Sequence, residues 1–386
     1  MAGLLSRPGA AGLSSPLAWA RTESFYRLGG CTFRLSGTGG FIEHVRAECA
    51  SLEIPPVGAL DIDFEFQPLL PPIPHYSIAA PLKIGEGRYE TMCGRVAYQV
   101  HPVPAGFRVY VANNVKRRHR VPDSVRRFHD WNFHTPEENA AKDFLYGVLG
   151  YLAQIVNLER GTSYLHACSF EREGRGIALI AWRGIGKTTA MLKLVNEHGW
   201  KYLSDDLAVV GPPQTLSRSA QRIQLYAYNL VDEELLTQRI FSQRTHWDRA
   251  AWAFRKWRYG LAGVRRRIAA EDLFGAHAVA HSAPLVEPVL MERADTRDFE
   301  CEPMPSSELA RRAAHIMLTE LSPFVEISAA LQAFDPSINL PAPDAFLART
   351  VDVLERRFSG LQARRIRVPI DARPAALAAY LHRLLG

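Results

Sequence analysis

The run Ile177-Ala-Leu-Ile-Ala-Trp182, followed by Arg183-Gly-Ile-Gly-Lys-Thr-Thr189 and then Ala190-Met-Leu-Lys-Leu-Val195, leaves this chain few folds. An apolar run of that length reads as a buried strand, and the periodic run behind it reads as a helix. Between them, Gly184 and Gly186 let the backbone turn so that its N–H groups point inward as a nest for phosphate oxygens. Ala181 to Thr188 keeps the spacing of the Walker A phosphate turn, with alanine in place of its first glycine. In such a turn Lys187 neutralises the β- and γ-phosphates and Thr188 offers its hydroxyl to Mg²⁺. The candidate cofactor-binding residues are therefore Ala181, Arg183, Gly184, Ile185, Gly186, Lys187, Thr188 and Thr189, and the cofactors expected are ATP and Mg²⁺.

A carboxylate pair, Asp205-Asp206, stands one helix downstream, ahead of the apolar run Leu207-Ala-Val-Val210. The common P-loop ATPases place the apolar run before the metal-binding aspartate, so this order points to a different class. One carboxylate can hold Mg²⁺ while the other accepts the proton of an attacking hydroxyl. Thr188 and Asp206 are taken as the metal ligands, and which of the two aspartates is the base stays open.

The chain has 386 residues, enough for two domains, with 47% hydrophobic and 22% charged residues, an ordinary globular balance. Its net charge of +6 suits an anionic ligand, an acidic peptide or nucleic acid without choosing among them. Five scattered cysteines without CxxC spacing suggest neither a zinc site nor a disulfide framework, and a reducing cytoplasm fits best. Residues 1–23 read as a flexible start, interrupted by Pro8, Gly9, Gly12 and Pro16, and no apolar segment is long enough to span a bilayer. No membrane partner is expected.

From 24 to 130 the pattern is β-rich. Cys31–Leu35, Ile62–Phe66, Arg95–Val100 and Gly106–Val111 alternate as half-buried strands, with one helix over Phe41–Leu52. Lys116-Arg-Arg-His-Arg120 with Arg126 and Arg127 forms a basic patch, either a solvated face or a site for an acidic partner. Thr135-Pro-Glu-Glu138 carries a capping box and opens a helix of about 20 residues with one apolar stripe. Ser163 to Phe170 reads as one short buried strand, hairpinned to the phosphate-turn strand, which puts His166 beside it. Residues 250 to 267 interleave four aromatics with six positive charges. That stretch is read as a substrate-binding arm with core aromatics and solvated charges, against nucleic-acid stacking as the alternative. Strands over Pro288–Glu292 and Arg365–Ile370, and helices over Ser306–Ser322, Asp344–Phe358 and Ala375–Leu385, complete the chain.

Leu165-His166-Ala167, the glycine turn, Gly199-Trp-Lys-Tyr-Leu-Ser-Asp205-Asp206 and Asp272-Leu-Phe-Gly-Ala-His-Ala-Val279 together resemble the bacterial HPr kinase/phosphorylase family, more closely the HPr-kinase-related proteins of peptide-modification clusters. The resemblance implies an α/β P-loop kinase domain of phosphoenolpyruvate-carboxykinase-like fold, on a mixed sheet, over residues 131–386, preceded by a β-rich N-terminal domain over 24–130. It implies an ATP-dependent phosphotransferase acting on a serine-like hydroxyl, with His166, Lys187, Asp205 and Asp206 as catalytic residues. Without it, His166 alone on a strand would read as a packed core residue. Ala181, Thr189 in place of the family's glutamate, and the absence of a clear arginine-glycine segment before Leu273-Phe-Gly275 depart from the pattern. Arg183, Arg258, Arg265, Arg266 and Arg267 are the candidates to replace that arginine.

The leading expectation is a kinase whose acceptor is a peptide, a protein or a small molecule, with a homo-oligomer allowed. The alternative is a P-loop nucleotide-binding switch or NTPase associated with nucleic acid, motivated by the two basic stretches. A GTPase is disfavoured, since no Asn-Lys-x-Asp base-reading motif occurs in the chain.

Overall fold

The computed structural model describes residues 23–113, 136–231, 233–242 and 245–386. The expected flexible start, the basic run Lys116–Arg120 with Arg126 and Arg127, and the helix-capping Thr135 lie outside them. Among the described residues no helix is long and apolar enough to cross a membrane. The architecture is mixed α/β, organised on two large mixed sheets.

The first sheet holds β1 (Glu23–Leu28), β2 (Cys31–Ser36), β3 (Glu53–Ile54), β4 (Ile62–Gln67), β5 (Ser77–Ala79), β6 (Leu82–Gly85), β7 (Arg88–Cys93), β8 (Val96–Val103) and β9 (Gly106–Asn113). Their spatial order is β3-β1-β2-β4-β9-β8-β7-β6-β5. Only β2, β4 and β9 run parallel to one another. In β4 the alternation is plain: Ile62, Phe64 and Phe66 turn inward while Asp63, Glu65 and Gln67 stay more exposed. Against that face lie α1 (Gly40–Cys49) and Phe144 at the end of α2 (Pro136–Phe144), whose ring meets Phe64 at 5.0 Å.

A π-helical turn (Leu145–Leu149) carries α2 straight into α3 (Gly150–Glu159). The one-sided stripe expected for this helix is not what forms, because Gly150 through Leu158 are all buried. The reason is that α3 is enclosed from several directions. Asn157 accepts from the Gly30 N–H between β1 and β2, and Gln154 bonds Ser163 and Tyr164 of the second sheet. The Gln154 amide and the Asn157 side-chain oxygen are buried with these partners.

The second sheet follows, built from β10 (Ser163–Leu165), β11 (Ala167–Arg172), β12 (Arg175–Ala181), β13 (Lys201–Ser204), β14 (Ala208–Gly211) and β15 (Thr215–Ser217). A separate pair, β16 (Ile223–Tyr226) and β17 (Arg265–Ile268), precedes the remaining strands β18 (Ser282–Ala294), β19 (Glu300–Pro303) and β20 (Arg364–Pro369). The order is β10-β14-β15-β18-β12-β11-β13, with β20 on β18 and β19 on β20. Strands β12, β18 and β20 are parallel, while β11 pairs antiparallel with β12 and β13. Helix α4 (Lys187–His198) follows β12. After the excursion α5 (Glu234–Phe241), α6 (His246–Tyr259) and α7 (Ala270–Phe274), the chain makes α8 (Ser306–Glu320), α9 (Ser322–Phe334), α10 (Pro343–Phe358) and α11 (Pro374–Leu385). Helices α4 and α11 share one core cluster with Ile177, Leu179 and Ala181, and α8 and α10 share another with Ala178 and Ile180. Covering on both faces is why β12 reads as an unbroken apolar run.

Two local expectations are corrected. Ser163 to Phe170 is two strands, because β10 pairs with β14 whereas β11 pairs with β12 and β13, and His166 sits at the switch. In the stretch 250–267 the charges are not simply solvated. Arg255, Arg266 and Arg267 are buried, whereas Phe254, Trp257 and Tyr259 are exposed. Arg266 lies over the Phe241 and Trp252 rings at 4.9 and 5.5 Å, and Arg267 pairs with Glu48 of α1 at 2.5 Å. Burial of the Arg266 and Arg267 guanidinium groups is compensated by these rings and by a carboxylate that lies far away in sequence.

Candidate functional site

At the C-terminal end of β12 the chain leaves the sheet at Ala181 and re-enters helix at Lys187. Gly184 and Gly186 take φ of +83° and +96°, the left-handed conformation for which glycine was expected there. The carbonyl of Ile185 accepts from Arg293 at 3.2 Å, so β18 holds the turn from beside it.

The turn aims Lys187 inward. Its ammonium donates to the Ala181 and Trp182 carbonyls at 2.7 and 3.1 Å and stands 3.3 Å from Nε2 of His166. His166 is able to do this because it lies in the break between β10 and β11. Burial, then the charges of Lys187 and Arg183, push the His166 pKa down to about 3, while a hydrogen bond to the Asp206 backbone acts the other way. The ring is therefore neutral at pH 7 and serves Lys187 as an acceptor, not as a second cation.

The aspartates enter from the turn between β13 and β14. Asp205 is buried, accepts from the Cys168 thiol at 2.7 Å and lies 3.4 and 3.3 Å, by its two oxygens, from the Thr188 hydroxyl. Burial raises its pKa, and the thiol, Lys187 and the Thr188 hydroxyl oppose that rise. Asp206 adopts φ of +63°, a conformation aspartate tolerates better than most residues. Burial first, then the charges of Asp205 and Glu320, raise the Asp206 pKa to about 7 against the pull of Lys187 and Arg183.

His166, Lys187, Thr188, Asp205 and Asp206 thus converge, although they come from three separate segments. Two of the residues proposed for the cofactor are engaged elsewhere. The Thr189 hydroxyl accepts from Asn229 at 2.7 Å, and the Ile185 side chain packs into the core. Arg183 is exposed and forms a two-pronged ion pair with Glu320 at 3.1 to 3.2 Å. Of its other suggested replacements, Arg266 and Arg267 are spent on buried contacts away from the cluster.

Sequence reasoning missed Glu320, Cys168 and Arg293. Glu320 had a signal, since an acid in the last turn of a helix opposes the macrodipole and needs another reason to be there. It stands 3.9 Å from Nδ1 of His166. Cys168 lies two residues from His166, the spacing that places extended-chain residues on one side. Arg293 had none.

Among the described residues no group of three or more histidine, cysteine, aspartate or glutamate side chains forms a cation cage. The donors present suit magnesium nonetheless. Mg²⁺ takes hard oxygen ligands, one or two carboxylates, and keeps water and phosphate oxygens for the rest. The Thr188 hydroxyl beside the Asp205 carboxylate is such a pair.

No protein-family model matches the chain, and no curated protein matches it. Among solved structures, the HPr(Ser) kinase/phosphatase from Coxiella burnetii aligns over 58% of this chain and 97% of its own, with 12% identity and a TM-score of 0.27. A superposition that loose carries no argument about fold or chemistry, and the likeness to that family is one of sequence motifs alone.

Proposed function

We propose that this chain is a Mg-ATP-dependent kinase that transfers the γ-phosphoryl group to a serine-like hydroxyl on a peptide, protein or small molecule, through a P-loop unit of phosphoenolpyruvate-carboxykinase type. The observation that supports it is the single cluster in which a lysine and a hydroxyl, set on a glycine turn, meet two adjacent aspartates, Asp205 buried and Asp206 partly so. Gly184 to Thr188 would hold the phosphates, and Thr188 with Asp205 would hold Mg²⁺. This gives the metal role to Asp205 in place of Asp206. Mg-ATP supplies the phosphoryl group and neutralises charge that develops as it moves.

Asp206 is then the base. A carboxylate with a pKa of about 7 can take a proton near neutral pH and still be basic enough to want it. The acceptor oxygen forms the new O–P bond as its proton passes to Asp206, and the bond between the γ-phosphorus and the departing ADP oxygen breaks. Neutral His166 orients Lys187, and Arg183, paired with Glu320, adds a second positive charge acting on Asp206.

Nucleic-acid association loses support, since three of the positive charges in 250–267 are buried. Purified protein given Mg²⁺ and ATP labelled at the γ-phosphate should bind the nucleotide and transfer label to its acceptor in a lysate fraction. Lys187→Ala and Asp206→Asn should each abolish transfer, and label transfer retained in both variants would sink the proposal.

A further inference from the structure

We infer that the cleft between the glycine turn and α8 is the acceptor pocket of this kinase, built for a hydroxyl compound that also carries a carboxylate and an apolar group. The word acceptor rests on the kinase reading above, whereas the ligand chemistry stands on the side chains of the cleft itself.

The cleft has a volume of about 490 Å³. Small-ligand pockets run from roughly 300 to 1,000 Å³, so it is large enough for a compound of dipeptide size. It lies beside the C-terminal ends of the parallel strands β12 and β18, where open α/β sheets place their ligands. Ile185, Met291 and Ile316 give it an apolar lining, and the half-exposed Trp182 stands at its rim.

Its charges are unequal. Arg312 is divided between Glu292 at 3.1 Å and Glu308 at 2.8 Å, and Arg183 is held by Glu320. Arg293 differs from both. Its Nη1 donates to the carbonyls of Pro369, Ile370 and Ala372, and its Nη2 donates to the carbonyl of Ile185. Carbonyls fix a guanidinium without cancelling its charge, and among the described residues no carboxylate pairs with it. Those four contacts leave the Nε–H and one N–H of Nη2 without a protein acceptor among the described residues. A guanidinium with two donors to spare is a natural partner for a carboxylate. Because the guanidinium is already fixed by carbonyls, an anion would lose little by ordering it.

The cleft also borders the chemistry. Arg183 lines it and is one of the charges acting on Asp206 and His166. Glu320 lies about one helical turn beyond Ile316 on α8, 3.9 Å from His166. A ligand anchored on Arg293 therefore keeps its far end beside the wall that Arg183 and Glu320 share with the aspartates, where a hydroxyl would be needed.

The test uses the full chain labelled with ¹³C-methyl methionine, with the Met291 signal assigned through Met291→Leu. N-acetyl-phenylalanyl-serine and its C-terminal amide are titrated separately, without nucleotide. The acid should shift the Met291 methyl and saturate, the amide should bind about tenfold more weakly or worse, and Arg293→Gln should erase that preference. The pair of probes keeps the result readable even if Arg293→Gln disturbs the turn. Equal binding of acid and amide, no shift with either, or a Met291 shift produced by adenosine would overturn the assignment, the last by making the cleft a donor-base pocket. Mg-ATP binding is measured on the same sample. Nucleotide binding without acid binding removes the pocket and leaves the kinase reading intact, whereas acid binding without nucleotide binding removes the kinase reading and keeps the ligand class.

Discussion

The Thr188 hydroxyl lies 3.3 Å from a carboxylate oxygen of Asp205, a contact between the first turn of α4 and the bend that joins β13 to β14. Asp206, the next residue, turns away through a left-handed backbone and sits among Asp205, Glu320, Lys187 and Arg183. Adjacent aspartates therefore occupy different surroundings, and environment assigns their roles as it does for other carboxylate pairs.

Asp205→Asn and Thr188→Val should raise the Mg²⁺ concentration needed for half-maximal transfer by about tenfold or more, because each removes a hard oxygen ligand. Asp206→Asn should leave Mg-ATP affinity within about threefold while transfer falls by roughly 10² to 10⁴, the usual worth of a general base. Isothermal titration with Mg²⁺ and a non-hydrolysable ATP analogue separates the two patterns. If Asp206→Asn is the variant that loses metal dependence, the roles are exchanged.

Lys187 is buried, with its ammonium on two carbonyls and His166. Lys187→Ala removes the cation and leaves those acceptors short of a donor, at a cost of about 1–3 kcal/mol in stability. It should also remove thermal stabilisation by Mg-ATP, which in the wild type is expected at about 2.7 kcal/mol when ligand is 100-fold above its Kd. Melting curves with and without Mg-ATP report both effects.

His166 supplies a pH dependence with a fixed sign. In the unfolded chain it takes up its proton near its ordinary value of 6.5, whereas in the fold it does so only near pH 3. The stability it contributes is complete above pH 6.5 and is lost as pH falls through that window, at up to about 1.4 kcal/mol per pH unit. Asp206, whose folded pKa is raised, acts with the opposite sign over its own window, so wild type must be compared with His166→Asn. Denaturant titrations at pH 7.5, 6 and 5 should show wild type losing stability relative to that variant. The His166 ring signals should not titrate between pH 8 and 5, and a midpoint near 6.5 would remove the argument.

What was legible in the sequence was what is local. The glycine turn, its lysine and threonine, and the strand and helix around it lie within about twenty residues and obey spacing rules. Glu320 reaches Arg183 across 137 residues and Arg293 reaches Ile185 across 108, and no periodicity carries such information. The division of the run 163–170 at His166 was hidden for a related reason. Every residue from Ser163 to Phe170 is buried, so no change of exposure marks the point where the pairing partner changes. In the first sheet, β4 alternates cleanly and is legible, whereas β5 and β6 are too short and too close to prolines to signal themselves.

The buried charges of β17 give the last prediction. Basic residues in a run are solvated unless something distant compensates them, and here that something is Glu48, 219 residues earlier. Both side chains of the Arg267–Glu48 pair are almost fully enclosed, and the Tyr146 ring lies under the guanidinium at 5.7 Å. Enclosure of that kind costs each ion several kcal/mol of hydration, which the pair recovers only while both partners are present. Arg267→Met alone should destabilise the protein by about 3–5 kcal/mol by stranding the Glu48 carboxylate. Adding Glu48→Leu to it should restore most of that loss, since a well-packed apolar pair of similar size is often no less stable than a buried ion pair. Chemical denaturation of the two single variants and the double variant measures the coupling. An Arg267→Met loss below about 1 kcal/mol, the range of exposed pairs, would mean that water reaches the site and that β17 is less closely packed on α1 than the structure shows.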